Sequence, residues 1–294
     1  QERLSQGLGN DPMLTDGFGR RIDYLRISVT DRCNLNCAYC APAMSPRAGT
    51  EGGLLTDAEI LRLVSCFASM GISRVRLTGG EPLLRPGICG LVREIAGVGG
   101  VTDLALSTNG TLLGGMAEDL RLAGLKRVNV SLDALHPDRY AGITGFRGLD
   151  SVLAGIEAAL AAGLNPVKVN CVVMRGLNDG DIGGFVGLTA RRPVHVRFIE
   201  LMPVGPNRFF SRGRWVPVGE IMEVARPIEK LSNNERPAGA GPARYYRRPG
   251  YRGTVGFIGA LSSRFCADCN RLRLTAGGVL LPCLDSREGA DLAG

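Results

Sequence analysis

Three cysteines within eight residues, Cys33, Cys37 and Cys40, constrain this chain more than any other feature of it. They follow directly on a strand-like run, Tyr24 to Thr30, so a loop leaving one strand gathers three thiols at one place. A structural zinc site wants four ligands, usually from two C-x2-4-C pairs, and neither a histidine nor a fourth cysteine lies nearby. Three sulfurs suit a four-iron cube with one iron left open. Such an iron can bind a small molecule and pass an electron into it, whereas a cube tied by four cysteines mostly carries electrons. A zinc knuckle and three unrelated buried thiols stand as the alternatives.

Downstream, the hydrophobic periodicity alternates between strand and helix. Thr56 with Glu59 forms a capping box for a helix whose apolar face is Ile60, Leu63, Val64 and Phe67 and which ends near Gly71. Strand Ile72 to Thr78 and the turn Gly79-Gly80-Glu81-Pro82 come next. Strands 103–107, 126–132, 167–173 and 194–200 then alternate with helices near 114–123, 150–162 and 179–190. Six strands separated by helices predict an α/β fold with a parallel sheet, open or curled into a partial barrel.

The strand faces choose the barrel. Parallel strands covered by helices are normally apolar on both faces, but here one face is polar. It carries Arg26 and Ser28; Arg74, Arg76 and Thr78; Asn129 and Ser131; Lys168 and Asn170; His195 and Arg197. The other carries residues such as Leu25, Ile27, Val75, Leu77, Val128, Val130, Val169, Cys171, Val196 and Phe198. With helices on the apolar side, the cations line the concave interior of a partial TIM-type (β/α)6 barrel. Converging positive groups repel one another unless a polyanion sits among them. A one-sided sheet facing water would show mixed signs, and Asp and Glu are nearly absent from this face as the sequence reads.

Regular alternation lapses from Leu201 to Trp215, dividing the chain into residues 1–202, the barrel with the first cysteine set, and 203–294, a smaller C-terminal α+β extension that closes the barrel's open end. The extension reads as a short helix near 218–224, a disordered-looking linker from Ser232 to Ala243, and strands at 244–248 and 254–258. Cys266, Cys269 and Cys283 form a second trio, C-x2-C-x13-C, and a hairpin turning at Gly277-Gly278 returns Cys283 to the pair. A second cluster with one free iron fits this count better than zinc. Arg271 and Arg273, alternate strand residues, lie beside it, and Cys66, Cys89 and Cys171 read as buried structural thiols.

Nine cysteines in two tight sets point to metal chemistry in a reducing compartment. No run approaches the ~18 apolar residues of a membrane span, and residues 1–21 lack the apolar segment of a secretory signal, so the expectation is a cytoplasmic protein that does not engage membranes. The net charge of +7 comes from scattered arginines rather than runs, against nucleic-acid binding.

Both cysteine sets, the stretch Arg26 to Asn34, Thr78-Gly79-Gly80-Glu81-Pro82, Thr108-Asn109-Gly110, Asn129-Val130-Ser131-Leu132-Asp133-Ala134 and Arg197-Phe198-Ile199-Glu200 closely resemble the GTP 3',8-cyclase family of radical S-adenosylmethionine (SAM) enzymes. The likeness runs from about Arg20 to Cys283. It implies two [4Fe-4S] clusters, one on Cys33, Cys37 and Cys40, the other on Cys266, Cys269 and Cys283. It also implies that Tyr39, Gly80, Ser131 and Met202 seat SAM, and that Arg26, Arg76, Ser107, Lys168, Arg271 and Arg273 contact GTP, with Arg74 and Arg197 beside them. The implied reaction is SAM cleavage to a deoxyadenosyl radical, removal of the ribose 3' hydrogen and attack on guanine C8, giving (8S)-3',8-cyclo-7,8-dihydroguanosine 5'-triphosphate, the first step of molybdenum cofactor biosynthesis. No general acid or base is assigned, and His136 and His195 read as structural. Implied partners are an external one-electron reductant and the downstream enzyme that forms the cyclic pyranopterin; a homodimer is allowed. Members of the family usually continue several dozen residues past the last cysteine to a Gly-Gly tail, whereas this sequence runs from Gln1 to Gly294, so the expectation is either a trimmed sequence or a tail-less chain, the latter binding GTP yet turning it over poorly. The competing readings are a peptide-modifying radical enzyme, whose extension typically holds more cysteines, and a non-catalytic nucleotide-binding protein, which would not need the Gly79-Gly80-Glu81-Pro82 turn.

Overall fold

The computed structural model describes residues 13–40, 53–204, 209–239, 241–286 and 288–293. Its first two-thirds alternate strand and helix: β1 Tyr24–Ser28, α1 Asp57–Ser69, β2 Arg74–Thr78, α2 Ile88–Ala96, β3 Asp103–Thr108, α3 Ala117–Leu122, β4 Arg127–Ser131, α4 Pro137–Thr144, α5 Leu149–Ala161, β5 Val167–Val173, α6 Ile182–Arg191 and β6 Val194–Glu200. The capping box forms as the sequence predicts, with Glu59 N donating to Thr56 Oγ1 at 3.3 Å and Thr56 N to Glu59 Oε2 at 2.7 Å. Helix α4 has no counterpart in the sequence reading. Only two of its eight residues, Tyr140 and Ile143, are buried apolar anchors, too few to mark a 3.6-residue period.

The remaining elements are α7 Val218–Ala225, β7 Glu229–Lys230, β8 Arg244–Arg247, β9 Thr254–Ile258, β10 Arg271–Leu274, β11 Val279–Leu281 and β12 Ala290–Asp291. Strands β1 to β6 pair in sequence order, all parallel, as the partial barrel requires. The extension then adds strands at both edges: β10 pairs parallel with β1, and β9 parallel with β6. From these, β11–β12 and β8–β7 continue antiparallel. One apolar core runs through both parts, with Val216, Ile221, Phe257 and Leu274 packed in the same cluster as Leu25, Val128 and Phe198. Among the described residues no helix is long and apolar enough to cross a membrane.

Three sequence expectations change. The stretch from Ser232 to Ala243 is not loose as far as it is described: Asn233–Glu235 form a 3-10 turn capped by Ser232, and the following loop seats itself against the barrel cations. Of the three remaining thiols, only Cys171 is buried; Cys89 is half-buried and Cys66 exposed. The polar face also includes an acid, because the β3 register places Asp103 opposite Arg74.

Candidate functional site

The first cysteine loop is held from three sides. Gly80 N donates to Thr30 O at 2.8 Å and Glu81 N to Arg32 O at 2.7 Å, which pins the turn after β2 onto the chain entering Cys33. A Cβ on Gly80 would lie 2.1 Å from Arg32 O, so only glycine allows this approach. The buried Glu81 carboxylate accepts from Leu83 N (3.1 Å), Thr108 Oγ1 (2.7 Å) and Asn109 N (2.6 Å). Asn109 Nδ2 in turn donates to Asn34 Oδ1 at 2.8 Å and reaches Cys33 Sγ at 3.9 Å. From the third side, Asn36 N and Ala38 N donate to Thr144 O and Ile143 O at the end of α4. The missed helix is therefore part of the loop's frame.

Tyr39 is anchored by its hydroxyl on Asp133 Oδ2 at 2.6 Å, and Asp133 Oδ1 also accepts from Val172 N at 2.8 Å. Burial pushes the Asp133 carboxyl up to about 6 against those two bonds. Burial, together with Asp133, Cys40 and Cys33, raises Cys37 well above an ordinary thiol, so Cys37 feels the charge of both other sulfurs. Gly80, Ser131 and Met202 follow β2, end β4 and follow β6, so with Tyr39 the four residues expected to seat SAM lie at the carboxyl end of the parallel strands.

Toward the other end of the strands the inward face of the sheet, here called the chamber wall, is cationic. Arg26 lies opposite Arg76 on β2 and Arg273 on β10, while Asn129 lies between Ser107 on β3 and Lys168 on β5. Burial, reinforced by Arg197, Arg127 and Arg76, lowers the Lys168 ammonium to about 6. Burial likewise lowers Arg76 to about 10, with Arg197 and Arg127 adding to it, and burial and Arg271 lower Arg273 to about 10. Arg197 is spent in part on Asn170 Oδ1 at 2.7 Å. Arg74 is not free for the chamber, since Asp23 Oδ2 holds its guanidinium at 2.5 Å. His195, lowered to about 4 by burial and by Lys168 and Arg197, pairs with Thr254 Oγ1 at 2.8 Å.

Two features here escaped the sequence reading. Arg127, the first residue of β4, shares the polar face with Asn129. Asp103 grips it in a two-pronged ion pair, Nε to Oδ1 at 2.9 Å and Nη2 to Oδ2. Its signal was the alternation Arg127, Asn129, Ser131, read one residue short. The second feature is the loop after Arg236: Ala238 O accepts from Lys168 Nζ at 2.5 Å, and a Cβ on Gly239 would lie 2.6 Å from Arg127 Cζ. A main-chain carbonyl leaves no such signal. Arg26 Nε, Arg76 Nε, Arg127 Nη1 and Asn129 Oδ1 are buried with no hydrogen-bond partner among the described residues.

The second trio sits where β10 meets β1. The hairpin pairs Arg273 with Leu281 and turns at Gly278, φ +92°, returning Cys283 toward the pair. Cys269 and Cys283 both act on the charge of Arg273. Arg20 Nη1 donates to Cys266 O at 2.5 Å. Burial opposes the Cys269 thiolate, but Arg271 and Arg20 outweigh it and the thiol titrates below its ordinary value. Both trios are thiol-only donor sets. Among the described residues no three Cys, His, Asp or Glu side chains crowd closely enough to hold a single ion.

Residues 27–188 match the model of the radical SAM superfamily and residues 194–294 that of Molybdenum Cofactor Synthesis C. The chain is 50% identical over 277 residues to the GTP 3',8-cyclase of Pelotomaculum thermopropionicum, spanning 94% of this chain and 85% of that one. It is 50% identical over 272 residues to the GTP 3',8-cyclase of Moorella thermoacetica, spanning 92% and 84%. Among solved structures, Streptococcus suis SuiB superposes with a TM-score of 0.65 over 93% of this chain and 64% of that one; at 14% identity this is a likeness of fold alone.

Proposed function

The chain belongs to the GTP 3',8-cyclase family of the radical SAM superfamily, and from that premise we infer how its own residues divide the work of a GTP 3',8-cyclase in molybdenum cofactor biosynthesis. Cys33, Cys37 and Cys40 hold the [4Fe-4S] cluster that the superfamily implies, and Cys266, Cys269 and Cys283 hold a second. When bound, the first cluster supplies the electron that splits SAM into methionine and the radical that takes the 3' hydrogen of GTP. Tyr39, Gly80, Ser131 and Met202 seat SAM at the carboxyl end of the strands. Arg26, Arg76, Ser107, Lys168, Arg271 and Arg273 bind GTP, and Arg197 backs them. The barrel wall excludes water and fixes the sugar between the two ends, which is where positioning lowers the barrier. An external one-electron donor and a downstream enzyme consuming the cyclised nucleotide complete the scheme.

One observation carries this division of roles: buried guanidinium nitrogens of Arg26, Arg76 and Arg127 stand without partners among the described residues on the inward face of the sheet. Buried cations so arranged are stabilised by a polyanion, and a nucleoside triphosphate is one. The test is anaerobic reconstitution to roughly eight irons per chain, then reduction with SAM and GTP. Deoxyadenosine together with a cyclised nucleotide supports the reading. Deoxyadenosine formed only with a peptide, or nucleotide binding without SAM cleavage, refutes it.

A further inference from the structure

Asn129 is fully buried, 0% exposed, at the midpoint of the chamber wall. Its Nδ2 donates to Ser107 Oγ at 3.3 Å, which orients the amide and leaves Oδ1 with no partner among the described residues. The other unpartnered groups of the chamber, on Arg26, Arg76 and Arg127, are donors. They suit a triphosphate, which at neutral pH offers acceptors. A lone buried acceptor among them suits a part of the ligand that donates. A nucleoside has two such places: the ribose hydroxyls and the N–H groups of the base.

Position along the strand chooses between them. On β4 the inward residues are Arg127, Asn129 and Ser131 in succession. Arg127 belongs to the cation cluster with Lys168, Arg76 and Arg197. Ser131 ends the strand on the side of the first cysteine loop. Asn129 is therefore one inward position from each end, and across the sheet it faces Ser107 and Lys168. The sugar joins base to phosphates, and its 3' carbon must meet the radical formed at the first cysteine loop, so the ribose is the part that passes this point.

We propose that the side-chain carbonyl of Asn129 accepts a hydrogen bond from a ribose hydroxyl of GTP and so sets the sugar's 3' carbon toward the SAM end of the chamber. This rests on the assignment of the chamber to GTP. Leaving a buried acceptor unmatched weakens binding on the order of tenfold, so the effect is measurable.

The experiment compares GTP with 2'-deoxy-GTP and 3'-deoxy-GTP by anaerobic calorimetry on the reconstituted protein and on Asn129→Ala and Asn129→Leu. In the wild type, one deoxy analogue is expected to bind on the order of tenfold more weakly than GTP. In the variants, that difference should vanish, with GTP weakened about as much. In turnover, the variants should make more deoxyadenosine per cyclised product, since a loosely held sugar is abstracted less faithfully. Equal wild-type affinity for all three nucleotides overturns the proposal even if no variant folds, as does a variant that weakens all three alike. Absence of GTP binding to the wild type is a different failure, that of the functional assignment itself.

Discussion

Lys168 shows how much a single side chain can reveal about the chamber's occupant. Burial and the nearby Arg197, Arg127 and Arg76 outweigh Asp103, its carbonyl partner Ala238 O carries no net charge, and its ammonium is lowered to about 6. At pH 8 it is neutral in the ligand-free protein, while the triphosphate is already fully ionised. On the assignment proposed above GTP restores the charge, so binding should take up close to one proton per GTP, and affinity should fall as the pH rises above about 6. Calorimetry in buffers of differing ionisation enthalpy reads this directly, and Lys168→Met should abolish the uptake; buffer-independent heats would contradict it. The sign for folding follows from the same shift. The folded state gives up this proton before the unfolded chain does, so Lys168 makes the ligand-free protein more stable as the pH rises from about 6 toward 10.5. The alternation of polar and apolar residues made Lys168 and most of its companions legible in the sequence. It did not show Arg74 to be claimed by Asp23, or Asp103 to stand beside Arg127, because ion pairs across strands depend on register.

At the scale of elements, short motifs turn out to be clasps between strand ends. Gly79-Gly80-Glu81-Pro82 joins the Cys33 loop to Thr108 and Asn109, and every link is a main-chain or carboxylate bond of 2.6–3.1 Å. The motifs were legible because such close contacts admit few residue types, glycine above all. Helix α4, which braces the same loop, was not legible because its sequence is weakly periodic and its contribution is two backbone carbonyls. Gly80→Ala should force the turn off Arg32 and cost about 1–3 kcal/mol. The purified variant should then bind close to half the wild-type iron, losing the first set and keeping the second. Retention of both would mean that the turn does not shape the loop.

At the scale of the whole molecule, Glu200 is the joint between barrel and extension. Its carboxylate accepts from Val218 N at 2.8 Å, Leu261 N at 2.7 Å and Ser262 N at 2.9 Å, and from the Ser262 hydroxyl. Burial opposes the charge, but these donors prevail and the pKa is lowered, so its contribution is present above pH 4.5 and lost as the pH falls through the lowered value. Glu200→Ala should cost about 2 kcal/mol or more. Amide hydrogen exchange should quicken in 218–225 and 254–263 while β1 to β5 stay protected, and uniform loss of protection would show that the joint is not local. Sequence alone showed that an extension exists, but not that its strands add to both margins of the sheet, because long-range pairing leaves no local periodicity.

That two-sided attachment has a consequence for synthesis. Strand β9 pairs with β6, which precedes it closely, but β10 must return to β1, the earliest strand among the described residues. Until then the nascent chain carries β1 as an open margin with the charge of Arg26 at its middle, which discourages stray pairing with other chains. The second thiol trio can therefore be assembled only after Cys283 has been made, and any iron delivered earlier can go only to the first.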